Sequence, residues 1–367
     1  MPVIRDRRTG IQYCLIAALI IIGLFFVLHT VFSWHLIALS PTSAGFFRNV
    51  LAARNPQTAQ HFPSPDDADP LAPVRAQVQH GSLADAERSV REYLRTHKRF
   101  ASGHFLLGYI LFKEVKPKDS LAEYTEGAKY RLPSASELKV LALDYVLLRD
   151  YVDADKWLTR AIEQDPNDSE TWYYLGRAKY NENRFAEAVN AFQQCLTLDS
   201  KNVKAEDNLG LSYAGLDRNE EAIVAYKNAI AWQSGLPAKN PDPFINIAEL
   251  LLEQNHPQEA LSYLMQAVAI PAETYRSQGM AELESRAHEH LGKAYSRLNQ
   301  PQQAETELEK AVELAPDSPR LHYLLGQLYQ KTGLRDKAKA ELDRYAALSH
   351  GQNSAQNNSQ TIAPPLR

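Results

Sequence analysis

The chain reads as an all-α protein: a solenoid of about eight 34-residue helix-turn-helix repeats preceded by one transmembrane helix. Three observations predict it. Small residues recur with a 34-residue period, apolar residues fall at helical spacing in two blocks per period, and a long uncharged apolar stretch stands near the start. The 367 residues carry 40 Lys+Arg against 44 Asp+Glu, a formal charge of −4, and so lack the basic surplus that phosphate neutralisation needs. Nucleic acid is therefore not expected as a partner. Two cysteines, Cys14 and Cys195, cannot build a disulfide framework, and neither has a second Cys or a His at metal-ligand spacing. No metal or other cofactor is expected.

From Thr9 to Phe47 there is no charged residue, and Tyr13 to Phe32 is almost continuous Leu, Ile, Val, Ala and Phe. Twenty helical residues span roughly 30 Å, the thickness of a bilayer's hydrocarbon core. Residues 11–34 are accordingly expected to form a transmembrane helix, with Tyr13 and Trp34 near the two headgroup layers. Arg5, Arg7 and Arg8 precede it, whereas the first basic residue after it is Arg48. The positive-inside rule then puts residues 1–10 in the cytoplasm and the repeats across the membrane, most readily a bacterial inner membrane facing the periplasm. A cleaved signal peptide is the alternative, although the apolar core exceeds the usual length of such a core.

Residues 35–72 change character. Pro41, Pro56, Pro63, Pro65 and Pro70, with Asp66, Asp67 and Asp69, suit a flexible tether. At the other end, residues 350–367 are rich in Asn, Gln and Ser and read as a disordered tail.

Between them the period is regular. Ala86, Ser120, Ala154, Ala188 and Ala222 are each 34 positions apart, and Ala260, Ala304 and Ala338 follow after steps of 38, 44 and 34. Twelve residues before each, from Ser120 onward, stand Gly108, Ala142, Gly176, Gly210, Ala248, Gly292 and Gly326, each preceded by Leu or Ile. Each unit divides into two helical patterns, as in Ser169–Asn181 with Arg184–Leu198, or Arg286–Leu298 with Gln302–Leu314. A small residue on the first helix meeting a small residue on the second lets the two backbones approach, and a larger side chain there costs about 1–3 kcal/mol by overpacking. Pro166 and Pro316 stop second helices. The first unit lacks the Leu-Gly pair but keeps the register in Leu83–Arg95, and extra residues break the period near Gln233–Asp242 and Ala272–Glu284.

The clearest unit, Trp172-Tyr173-Tyr174-Leu175-Gly176 with Ala188, Phe192 and Cys195, resembles the tetratricopeptide repeat family, whose units carry a W-x₂-L-G-x₂-Y, A-x₃-F, A and P pattern. The resemblance covers residues 73–349. Cys195 stands where the family usually has Ala, which implies a packing residue in place of a reactive thiol. Tyr93 and Tyr345 take that place in the outer units, as suits end repeats with one neighbour.

The resemblance further implies a right-handed superhelix with the first helix of each pair lining a concave groove. On that geometry the partner-binding groove comprises Phe105, Tyr109, Phe112, Lys139, Tyr173, Arg177, Tyr180 and Lys204. Aromatic and Arg side chains suit capture of a protein or peptide. Family members that grip chaperone tails use Lys and Asn four residues apart on one groove-facing helix. The corresponding pairs here, such as Lys139/Leu143 and Tyr173/Arg177, never combine Lys with Asn.

No phosphate loop, nucleophile elbow, H-E-x-x-H or Cys-x-x-Cys motif occurs, and His288 stands where a repeat places its packing aromatic. Neither an enzyme nor a small-molecule substrate is expected. The function expected is a membrane-anchored protein-interaction scaffold of a bacterial envelope assembly. The alternatives are an organelle-surface receptor with cytosolic repeats and a soluble exported repeat protein. Self-association is a further expectation, from the apolar stripe Ala340, Leu342, Tyr345 and Leu348 on the last helix.

Overall fold

A computed structural model describes residues 69–236, 239–271 and 281–360. Among them there are sixteen helices and no strand. They form eight consecutive pairs: α1 (Ala72–Gln79) with α2 (Leu83–Thr96), α3 (Ala101–Lys113) with α4 (Pro117–Ala128), α5 (Ala135–Leu147) with α6 (Tyr151–Gln164), and α7 (Ser169–Asn181) with α8 (Phe185–Leu198). The second four are α9 (Val203–Ala214) with α10 (Asn219–Trp232), α11 (Asp242–Glu253) with α12 (Pro257–Val268), α13 (Ala281–Arg297) with α14 (Pro301–Leu314), and α15 (Pro319–Thr332) with α16 (Arg335–Gln360). Most boundaries fall within one residue of the sequence expectation. There are two exceptions: α13 starts five residues early and so takes residues 281–284, the end of the second insertion, into helix, and α16 runs on to Gln360, so that residues 350–360 of the expected disordered tail are helical. Residues 272–280 of that insertion lie outside the described residues.

Local chemistry fixes the ends of the helices. Ser134 and Glu137 form a capping box on α5, while the side chains of Asp150, Asn202 and Asp168 accept the first free N–H groups of α6, α9 and α7. The turns within all eight pairs share one device. Gly81, Val115, Arg149, Asn183, Asp217, Asn255, Asn299 and Gly333 have φ between 57° and 79°, each five positions before the small residue of its second helix. The next residue's N–H then reaches five back, as from Lys116 to the Leu111 carbonyl and from Arg184 to that of Lys179, both at 2.9 Å. This is the left-handed cap that closes a helix over its own last carbonyls. Six of the eight positions hold Gly, Asn or Asp, the residues that adopt it at least cost; Val115 is the β-branched exception.

Packing within a pair differs in one respect from the expectation that small faces small. Ala86, Ala154, Ala188, Ala222, Ala260 and Ala304 are fully buried. What the first-helix glycine admits, however, is the large residue one turn further along the second helix. A Cβ on Gly176 would stand 2.6 Å from the Phe192 ring, and one on Gly210 2.5 Å from the Tyr226 ring. Where the first helix has Ala142 or Ala248, the facing residue is Leu158 or Leu264; the rings Tyr124, Phe192 and Tyr226 occur opposite glycine. Cys195 is fully buried, and burial pushes its thiol up to about 11, as a packing residue requires. His288, at the packing-aromatic position, bonds Glu307 through Nδ1 at 2.6 Å. His104 and His322 occupy the same register and bond the backbone carbonyls of Lys98 and Pro316, just as the Trp172 indole bonds that of Pro166.

The expected single-pass membrane localisation requires correction. Among the described residues no helix is long and apolar enough to cross a membrane. The physical reason lies in the repeats: α3 and α11, rich in buried apolar residues, have only 13 and 12 residues and reach little more than half of a bilayer core. α16 has the length, at 26 residues, but its sequence is full of Lys, Asp, Asn and Gln. The proposed 11–34 helix, the 1–10 terminus and all but the end of the 35–72 tether lie outside the described residues.

Candidate functional site: the face of the first helices

Successive first helices α3, α5, α7, α9, α11 and α13 approach one another, while each second helix packs between the first helices on either side. The rows of residues three before and one after the small position therefore line one shared inner face. These rows contain Phe105, Tyr109, Lys139, Tyr173 and Arg177 of the residues singled out from the sequence, with Phe112 and Tyr180 a turn after them and Lys204 a turn before, and the structure divides them.

Phe105 is only 2% exposed; its ring packs on Tyr124 (centroids 5.8 Å apart), against Gly127 and under the Arg131 guanidinium at 4.6 Å. It belongs to the interior. Lys139 is half-buried and joined to Asp168 at 2.8 Å and Glu170 at 2.6 Å. Burial opposes the charge of Lys139, but its two carboxylate partners outweigh that and raise its pKa; Asp168, also partly buried, is held low by Lys139 and Thr171. Lys139 thus fastens α5 to α7. Tyr109 and Phe112 are half-buried, with Lys113 over the Tyr109 ring at 5.6 Å. Tyr173 and Tyr180 are half-buried against Phe192 and Phe185. Arg177 is exposed above the Tyr173 ring at 6.0 Å, and Lys204 is exposed. Neither cation has a carboxylate partner among the described residues.

Further along, polar groups link neighbouring first helices. Asn246 donates to both Asp207 oxygens at 3.0 and 3.2 Å, Arg286 meets Glu249 at 3.2 Å, and Arg320 meets Glu289 at 2.8 Å. Burial pushes the Asp207 carboxyl up to about 8, with nearby Asp242 adding to the effect and Asn246 and Arg286 opposing it. His290, 3% exposed beside Glu249, is driven down to about 3, first by burial and then by Lys293, Arg286 and Arg320. Sequence reasoning missed these links. Their signal was a polar or charged residue on one first helix matched by a partner at a nearby register position on the next.

The inner face thus alternates between junctions fastened by polar pairs and two, α3–α5 and α7–α9, where among the described residues no hydrogen bond or ion pair joins the first helices. Those two are the aromatic ones. Among the described residues no cluster of His, Cys, Asp and Glu could hold a metal ion.

Eight stacked helix pairs presenting one inner face define an all-α repeat scaffold. Tetratricopeptide repeat models match residues 71–136, 169–202, 207–235 and 286–357, and the chain belongs to the tetratricopeptide repeat family. A curated relative, the PEX5-related protein of Mus musculus, is 36% identical over 124 residues, which is 34% of this chain and 19% of that protein. The chain thus matches less than a fifth of that relative's length. Yeast Tom70 superposes with a TM-score of 0.52 at 17% identity, covering 77% of this chain and 60% of Tom70. The APC/C Cut9–Hcn1 assembly gives 0.54 at 15% identity, covering 73% of this chain and 50% of the other. At such identities these structures speak to fold alone.

Proposed function

We propose that this protein is a protein-interaction scaffold and that residues 73–349 bind an extended or helical segment of a partner along the inner face of the first helices. The observation that carries the reading is the pairing of aromatic surface with uncommitted charge at the α7–α9 junction. Tyr173 and Tyr180 offer amphipathic area that loses little side-chain entropy on binding, and among the described residues Arg177 and Lys204 have no carboxylate partner. Tyr109 extends the surface toward the N-terminal end. Lys139 contributes as a fastener, because releasing it from Asp168 and Glu170 would forfeit two charge-assisted bonds. Repeats of this family are scaffolds in many processes, so the fold leaves the partner to be defined by the site.

The test is replacement of Tyr109, Tyr173 and Arg177 together by Ala in the full chain, with partner recovery quantified by mass spectrometry. Loss of the main partner with unchanged helical circular dichroism supports the reading. Unchanged recovery places the binding surface elsewhere on the solenoid.

A further inference from the structure

One helix pair departs from a rule that the others keep. Two register positions, sixteen before and three after the small residue of each second helix, hold His104 and Glu123, Leu138 and Trp157, Trp172 and Ala191, Phe244 and Tyr263, His288 and Glu307, and His322 and Glu341. In the three histidine pairs the two side chains bond directly, at 2.7, 2.6 and 2.6 Å. Each of these six pairs contains at least one ring. The remaining pair, Glu206 of α9 and Ala225 of α10, contains none. A cavity of about 400 Å³ lies there, lined by these two residues with Leu209, Tyr213, Glu220, Glu221 and Val224. Val224 is 58% exposed, at a position where no other unit has a branched apolar residue and the third unit has Lys156.

We infer that this cavity receives an arginine side chain of a partner polypeptide, whose planar guanidinium takes the place that rings hold in the other units and donates to Glu206. Glu206 is only 6% exposed; the Asn228 amide donates to its Oε1 at 2.8 Å, and its second oxygen has no bond among the described residues. Burial pushes the Glu206 carboxyl above its usual range and the Asn228 amide opposes that, the state of a buried anion short of a cation. The lining carries three carboxylates and no Lys or Arg. Arg218 meets Glu221 at 2.6 Å, which leaves Glu206 and Glu220 without an ion-pair partner among the described residues. The histidine pairs are the chain's own version of the contact: a flat nitrogen group against a glutamate in this slot. At Glu206 the carboxylate is present and the flat nitrogen group is missing. Guanidinium is the flat cation among side chains, and its methylenes would lie along Leu209 and Val224, whereas a compact, strongly hydrated ammonium leaves the slot unfilled. Glu206, Leu209 and Tyr213 occupy a different stripe of α9 from the inner-row Asp207 and Leu211, so this site stands apart from the groove.

The test uses the full chain with methyl-labelled Leu and Val, titrated in low salt with the end-blocked peptide Gly-Ser-Ala-Arg-Ala-Ser-Gly and followed by NMR. Its counterpart with citrulline in place of arginine keeps the shape and removes the charge. The arginine peptide is expected to shift the Leu209 and Val224 methyl signals, and the citrulline peptide to bind at least about ten-fold more weakly. Glu206→Gln is expected to weaken the arginine peptide by a similar factor, and Glu206→Trp, which restores the ring found at Trp172, to abolish its binding. Val224→Lys sets a competing cation at an exposed position that the third unit already fills with Lys156; it is expected to abolish binding with the buried packing untouched, which separates loss of the site from loss of fold. No shift up to about 10 mM peptide, equal binding of the citrulline peptide, or unchanged affinity in any of the three variants would overturn the inference. The Ala variant of Tyr109, Tyr173 and Arg177 is expected to bind the arginine peptide as the unmodified chain does; loss of binding there would move the site into the groove and overturn the inference, whereas a failure of the groove reading leaves it standing.

Discussion

The aromatic junctions and the fastened junctions of the inner face solve different problems with the same backbone. At α9–α11, α11–α13 and α13–α15 the side chains facing across are polar and find one another: Asp207 with Asn246, Glu249 with Arg286, Glu289 with Arg320. At α7–α9 the equivalent positions hold Tyr173, Arg177 and Lys204, which do not join the two helices. A solenoid must hold its neighbours together through each interface. Where the inner row supplies that adhesion its polar groups are used up, and where it does not the inner row is left for a partner.

Each kind of junction has a buried acid beside it, and this gives the largest expected effect. Asp144 of α5 is fully buried against the Ser120 hydroxyl at 2.5 Å with no ion-pair partner among the described residues, and burial pushes its carboxyl up to about 7 from 3.8. The folded chain therefore holds a proton on Asp144 that the unfolded chain releases, so this contribution is complete below about pH 4, declines as pH rises toward 7 and is gone above it. Asp144→Asn should abolish a loss of up to about 4 kcal/mol between pH 4 and pH 8. Asp207→Asn should act in the same direction over a window reaching about pH 8. Urea unfolding of each variant across pH checks both; an unchanged pH slope would mean the acids ionise freely in the fold.

Gly210→Val comes next, at about 3 kcal/mol, because its side chain would enter the Tyr226 ring. Thermal unfolding should place the loss in the middle of the solenoid. Removing a fastener is milder: Asn246→Leu leaves the Asp207 carboxyl without its donor, and about 2 kcal/mol should be lost above pH 8, less at pH 5 where Asp207 is protonated. If the cost were equal at both pH values, Asn246 would be acting through packing alone. The smallest effect is a gain. Val115→Asn should stabilise by about 1 kcal/mol, since Asn tolerates the left-handed conformation at φ 59° that valine resists. A lower melting temperature would assign Val115 a packing role.

Much of this fold was legible in the chain because the repeat states each rule eight times. Helix pairs, their lengths and the small packing positions follow from period and polarity alone. The left-handed turn was equally legible, in Gly81, Asn183, Asp217, Asn255, Asn299 and Gly333 at one fixed offset, although Val115 and Arg149 obscure it. What the sequence could not separate was which inner-row side chains face a partner and which face each other. Phe105 and Tyr173 hold the same register, yet Gly127 leaves room for Phe105 to sink into the interior while Tyr173 stays half-buried. Lys139 and Lys204 are both lysines in the first half of a first helix, and the placement of Asp168 and Glu170 at the start of the next first helix commits the former.

The most direct measurement is site-specific photo-crosslinking with a benzophenone side chain at position 173 on the inner face and, separately, at position 194 on the exposed side of α8. The account predicts a discrete partner crosslinked from position 173 that position 194 does not capture and that is lost when Arg177 and Tyr109 are replaced by Ala. Crosslinking from position 194 alone would contradict it and move partner recognition to the second helices.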